Sequence, residues 1–97
     1  MSVDSQPPYP NGLRVRREQL SYTRAQVIEW SKQLEAQDPI RWKAISSAPL
    51  FRIESGIARP RAKAAATLAE ILQSSVDVLF PKGIDPAYRG SKENLSK

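Results

Sequence analysis

The chain has neither cysteine nor histidine among its 97 residues. That excludes disulfides, thiolate and imidazole zinc sites, and the Cys–His and Ser–His pairs of nucleophilic catalysis. Acidic residues are few, ten in all, and they are scattered with no evident carboxylate pair. No enzyme is expected, and no cofactor or metal is implied. No run approaches the ~20 apolar residues that a membrane helix needs. The first dozen residues hold Asp4 and the prolines Pro7, Pro8 and Pro10, which is not the make-up of a targeting segment. The expectation is a soluble, cytoplasmic protein with no membrane partner.

What is present suits one small domain. Hydrophobic residues make up 40% of the chain, enough for a modest helical core over residues 13–80. Residues 1–12 read as a flexible arm because the prolines oppose helix and little there can be buried. Residues 81–97, with Gly83, Pro86 and Gly90 among polar neighbours, read as a flexible tail. The formal charge is +5, and its placement is uneven. Arg41, Lys43, Arg52, Arg59, Arg61 and Lys63 face only Glu54 in that stretch, so the local excess equals that of the whole chain. Such a cluster is either a solvated face or a surface for a polyanion.

The cluster is centred on Ser46–Gly56, which reads as one short helix with both ends marked. Ser46 or Ser47 caps it, Pro49 falls in the first turn where a missing N–H costs little, and Gly56 supplies a left-handed stop. On a 100° wheel Leu50, Ile53, Glu54 and Ser46 point inward. Ala48 and Arg52 point outward, with Ser47 and Phe51 on one flank. So short a helix is not stable alone in water, so its apolar side must rest on the remaining chain.

Around it the pattern predicts four more helices. The first spans Leu13 to Leu20, with Leu13, Val15 or Arg16, and Leu20 near the interior. A capping-box spacing from Thr23 to Gln26 opens the second, where Val27, Trp30 or Ser31, and Leu34 recur inward. Asp38-Pro39 should break it. Ile40–Ile45 then reads as a further helical turn or two covering the core, with Trp42 as cover rather than contact. Pro60 precedes a helix over Ala62–Leu72 whose stripe is Ala65, Leu68, Ala69 and Leu72. Ser74 or Ser75 caps a last helix, Val76–Phe80.

These elements resemble the Cro/C1-type helix-turn-helix family, the xenobiotic-response-element-like repressors. The resemblance is carried by Leu13-Arg14-x-x-Arg17 and by Tyr22 to Ile28. It continues in Leu50-Phe51-Arg52-Ile53-Glu54-Ser55-Gly56, Pro60, Leu68-Ala69-x-x-Leu72 and Val76-Asp77-x-Leu79-Phe80. It implies an all-α, compact, five-helix, lambda-repressor-like domain that lays its third helix in the major groove of double-stranded DNA. By position, Ser47, Ala48, Arg52 and Phe51 would meet base edges. Thr23, Arg24, Ser46, Arg59, Arg61 and Lys63 would hold phosphates. Arg17 and Glu54 would form a structural ion pair joining the first helix to the third. Two departures stand out. The connection between helices two and three is lengthened by an insertion over 32–45 that lacks glycine; and Pro49 occupies the first turn of the reading helix, while Arg16 replaces a residue often apolar in the family.

Two functions follow as expectations. One is a sequence-specific transcriptional regulator, acting as a homodimer whose two reading helices meet half-sites about one helical turn apart. The other is a protein-interaction module, antitoxin-like or an adaptor, whose partner protein would be held by the 32–45 insertion and the polar tails.

Overall fold

The computed structural model describes residues 7–85, and five helices account for its ordered secondary structure. They are α1 (Leu13–Gln19), α2 (Arg24–Gln37), α3 (Ser47–Glu54), α4 (Ala62–Ile71) and α5 (Val76–Leu79). No strand occurs among the described residues. The fold is a compact all-helical domain in which α2 packs on both α3 and α4, and α4 packs on α5. None of these helices is long and apolar enough to cross a membrane.

One core joins all the layers. Leu13, Val27, Ile45, Leu50, Ile53, Leu68, Leu72, Leu79 and Phe80 are buried together, and Ala65 and Ala69 let α4 approach its neighbours closely. At the ambiguous position of α2 the innermost residue is Ser31, fully buried, whereas Trp30 is half-buried. Trp30 meets the Tyr22 ring edge-on at 4.7 Å, which closes the α1–α2 corner.

The helix ends follow local chemistry. Thr23 accepts the Gln26 N–H, and the Gln26 side chain accepts the Thr23 N–H, completing the capping box. Ser75 caps α5 through the Val78 N–H. Ser46 takes the cap position of α3 with extended backbone but makes no side-chain cap bond, and it lies exposed rather than inward. Three helices stop in one way. After α1, α3 and α4, a residue of positive φ (Ser21, Gly56, Gln73) sits just past the end. The last open carbonyls are then closed by the next two N–H groups, as when Gly56 bonds Ile53 and Ile57 bonds Arg52, each at 3.0 Å.

Several expectations are corrected. Val15 is exposed and plays no part in the interior of α1, where Arg17 is the second buried residue. α2 continues to Gln37, so residues 32–37 of the proposed insertion lengthen a helix rather than a loop. The remaining connection, 38–46, is a turn followed by irregular chain, with no helix over 40–45. Asp38-Pro39 does end α2. Asp38 then caps a single turn, its Oδ1 accepting the Arg41 N–H at 3.2 Å and its carbonyl the Trp42 N–H at 2.9 Å, which does not extend into a helix. Trp42 is buried as cover, whereas Ile40 points out, 87% exposed.

The described part of the 1–12 arm is pinned to the domain. Tyr9 N–H donates to the Gly56 carbonyl and Gly12 N–H to that of Leu79, both at 2.9 Å. Asn11 Nδ2 reaches the Ile53 carbonyl at 2.8 Å while its Oδ1 accepts the Leu13 N–H. Residues 81–85 of the tail also lie on the domain, with Asp85 N–H on the Pro60 carbonyl. Residues 1–6 and 86–97 lie outside the described residues.

Candidate nucleic-acid interface

α3 rests on the core through Leu50 and Ile53 and turns Ser47, Ala48, Phe51 and Arg52 to solvent. The wheel read from the sequence thus matches this helix for Leu50, Ile53, Ala48 and Arg52, and fails at Ser46, which is exposed. Phe51 is 50% exposed, an unusual position for a large ring. The Arg24 guanidinium lies over it at 5.6 Å from its centroid.

Glu54 ties three helices. Its Oε2 accepts from Arg17 Nε at 2.6 Å and its Oε1 from Arg24 Nε at 2.8 Å, while the glutamate side chain is only 4% exposed. Arg17 also donates through Nη1 to the Tyr22 carbonyl. The expected Arg17–Glu54 pair is therefore present. Arg24 is a third member that sequence reasoning assigned only to phosphate. A carboxylate this buried uses two charge-assisted partners to offset its lost hydration. Arg24 keeps a side chain 48% exposed, so it stands at the edge of the α3 surface with its direction set. Arg16, the other departure, is also accounted for. Its Nε and Nη2 donate to the Leu72 and Gln73 carbonyls at 2.8 and 3.1 Å, closing the end of α4.

The opposite flank of α3 is different. Lys43, Arg52, Arg59, Arg61 and Lys63 line one cleft of about 340 Å³ together with Asp85. Pro49 and Ala64 give it an apolar floor. Two of these cations are partly committed. Arg59 lies over the Tyr9 ring at 4.7 Å and touches the Lys82 carbonyl, and Lys63 Nζ donates to the Pro39 carbonyl at 2.9 Å. Lys43, Arg52 and Arg61 form no ion pair among the described residues. Of the residues assigned to phosphate, the structure gathers Arg59, Arg61 and Lys63 beside Arg52. It sets Thr23 and Arg24 on the other flank, where the Thr23 hydroxyl serves the α2 cap.

Lys43 is the member that the sequence reading did not pick. Its signal was present in the basic run, but its placement depends on how residues 38–46 fold, which periodicity does not reveal. Among the described residues no group of His, Cys, Asp or Glu side chains is placed to hold a metal ion. Compared with protein-family models, curated proteins and solved structures, the chain shows no significant match to any.

Proposed function

We propose that the protein is a sequence-specific DNA-binding transcriptional regulator that inserts α3 into the major groove and acts as a homodimer. One observation carries the reading: α3 presents a narrow face of Ser47, Ala48 and Arg52, firmly backed by core, beside a cleft where Lys43, Arg52 and Arg61 form no ion pair among the described residues. A helix with its side chains is about 10–12 Å across, which suits a major groove of roughly 12 Å width. Arg52 forks onto guanine O6 and N7, worth about 1–3 kcal/mol of discrimination, and Phe51 offers its exposed edge to a thymine methyl. Arg61 and Arg59 grip the neighbouring phosphates, supplying affinity without sequence information. Arg24 does so from the other flank. Two-fold symmetry would set two such helices about 34–36 Å apart on a palindromic site.

The test separates reading from gripping. Duplexes selected from a random pool should bind at roughly 10⁻⁸–10⁻¹¹ M. Arg52→Ala should relax preference at one base pair, while Arg61→Ala should weaken all duplexes alike and lower the salt slope by about one. Affinity that stays at the nonspecific level of about 10⁻⁴–10⁻⁶ M for every duplex would reject this function. It would favour the protein-interaction module, for which the one supporting observation is Ile40, 87% exposed at the tip of the 38–41 turn.

A further inference from the structure

We infer that the 38–46 connection is itself a DNA-contacting element, delivering Lys43 to a phosphodiester strand that runs along the cleft beside α3. The inference rests on the DNA-binding reading and deepens it. The usual view of a long connection is a loop that moves freely and pays for ordering when it binds. This one is already ordered, by three separate ties.

The Ile45 N–H donates to Ser31 Oγ at 2.9 Å, inside the core. The Lys43 N–H donates to Thr67 Oγ1, also at 2.9 Å, and that hydroxyl donates onward to the Lys63 carbonyl at 2.8 Å. Lys63 Nζ holds the Pro39 carbonyl. Trp42 and Ile45 are buried on either side of Lys43, which stays exposed. The backbone that carries the Lys43 ammonium is therefore fixed to both α2 and α4.

The arrangement is an exchange. Lys63 stays on the cleft wall with its ammonium committed to the connection, and the connection in turn brings Lys43 to the same cleft. Asp85 lines the same cleft, but Lys43, Arg52 and Arg61 form no ion pair among the described residues. Cations held on rigid backbone lose less entropy on meeting a phosphate row, so each contact is used more fully. A strand of phosphates repeats its charge along its length, which fits a row of cations drawn from α3, the 57–61 loop and residue 43 better than a single small anion does. Lys43 thus lengthens the backbone footprint without reading any base.

The full chain is titrated with its selected duplex and with a random duplex across a salt series. Wild type, Lys43→Ala, Lys43→Arg and the charge control Lys32→Ala are compared. Removing one phosphate contact takes about 0.9 from the slope of log K on log salt, so a fourfold rise in salt should cost Lys43→Ala about 3.5-fold less affinity than it costs the wild type. The same change is expected on both duplexes. Lys43→Arg should restore the slope, and Lys32→Ala, on the exposed face of α2, should leave it unaltered. A wild type that binds its site while Lys43→Ala keeps the full slope overturns the inference and leaves the DNA-binding reading standing. Failure of the wild type to prefer any duplex overturns both. Inorganic tripolyphosphate is titrated in parallel. Binding of it that needs Lys43, with duplex binding indifferent to Lys43, makes the cleft a small-anion site and also rejects the proposal.

Discussion

On one flank of α3, Arg17 and Arg24 share the carboxylate of Glu54 at 2.6 and 2.8 Å. On the other, five cations line a cleft whose one acid among the described residues is Asp85. The side chains are alike and the consequences differ. Burial makes Arg17 and Glu54 architectural, because a charge taken out of water must be paired there, while half-exposed Arg24 is oriented by the same carboxylate. Exposure leaves Lys43, Arg52 and Arg61 of the second group hydrated and available, at little cost to the fold. The lesson is that basic residues around a helix cannot be counted as one surface. Each must be assigned by how much of its charge is already answered.

The largest expected effect comes from removing that answer. Glu54→Gln keeps the volume but leaves two guanidiniums together with no carboxylate. Breaking a buried pair in this way costs about 3–5 kcal/mol, and water at the half-exposed Arg24 draws the value toward the lower end. Urea denaturation should show a lower midpoint with unchanged slope. A loss below about 1 kcal/mol would make the two flanks equivalent and dissolve the comparison.

A second effect bears on the flank where the cleft lies. Ser31→Ala leaves the buried Ile45 N–H with no acceptor from α2, at a cost of about 1–3 kcal/mol. Amide hydrogen exchange should accelerate at Ile45, and DNA affinity should fall with it because the segment bearing Lys43 loosens. Faster exchange with unchanged affinity would detach the connection from binding.

How far the sequence foretold this follows the same division. Helices with their own punctuation were legible. Thr23 with Gln26 opens α2, Ser75 opens α5, and Gly56 closes α3, each through bonds between residues close in sequence. The face of α3 was legible too, since a 100° period needs no tertiary knowledge. The path of 38–46 was not. It is held by Ser31, Thr67 and Lys63, 14 to 24 residues away in the chain, and a polar residue on an apolar stripe reads as a flaw until its distant partner is known. The Arg24 bond to Glu54 escaped for the same reason. Over the described residues 7–12 the flexible arm is docked instead: the prolines do argue against helix, yet residues without helix can still dock, as the Tyr9–Gly56 bond does.

The smallest expected effect compares two helix ends of matching hydrogen-bond pattern. Ser21 ends α1 at φ 61° and Gly56 ends α3 at φ 81°. The left-handed region costs a residue with a Cβ roughly 1–2 kcal/mol, and Ser21 bears that cost in the open, whereas Gly56 has none to bear. A Cβ on Gly56 would also meet Pro7 Cβ at 2.9 Å, so glycine there serves the docked arm as well as the turn. Ser21→Gly should therefore raise stability by about 0.5–1 kcal/mol, the backbone gain being partly offset by the freer unfolded chain. The urea midpoint should rise while DNA affinity and salt slope stay at the wild-type values, because Ser21 lies at the Arg17 and Tyr22 end of the molecule, away from the cleft. If Ser21→Gly alters the salt slope, the paired flank is joined to the binding flank through α1, and the separation of architecture from binding around α3 fails at its weakest seam.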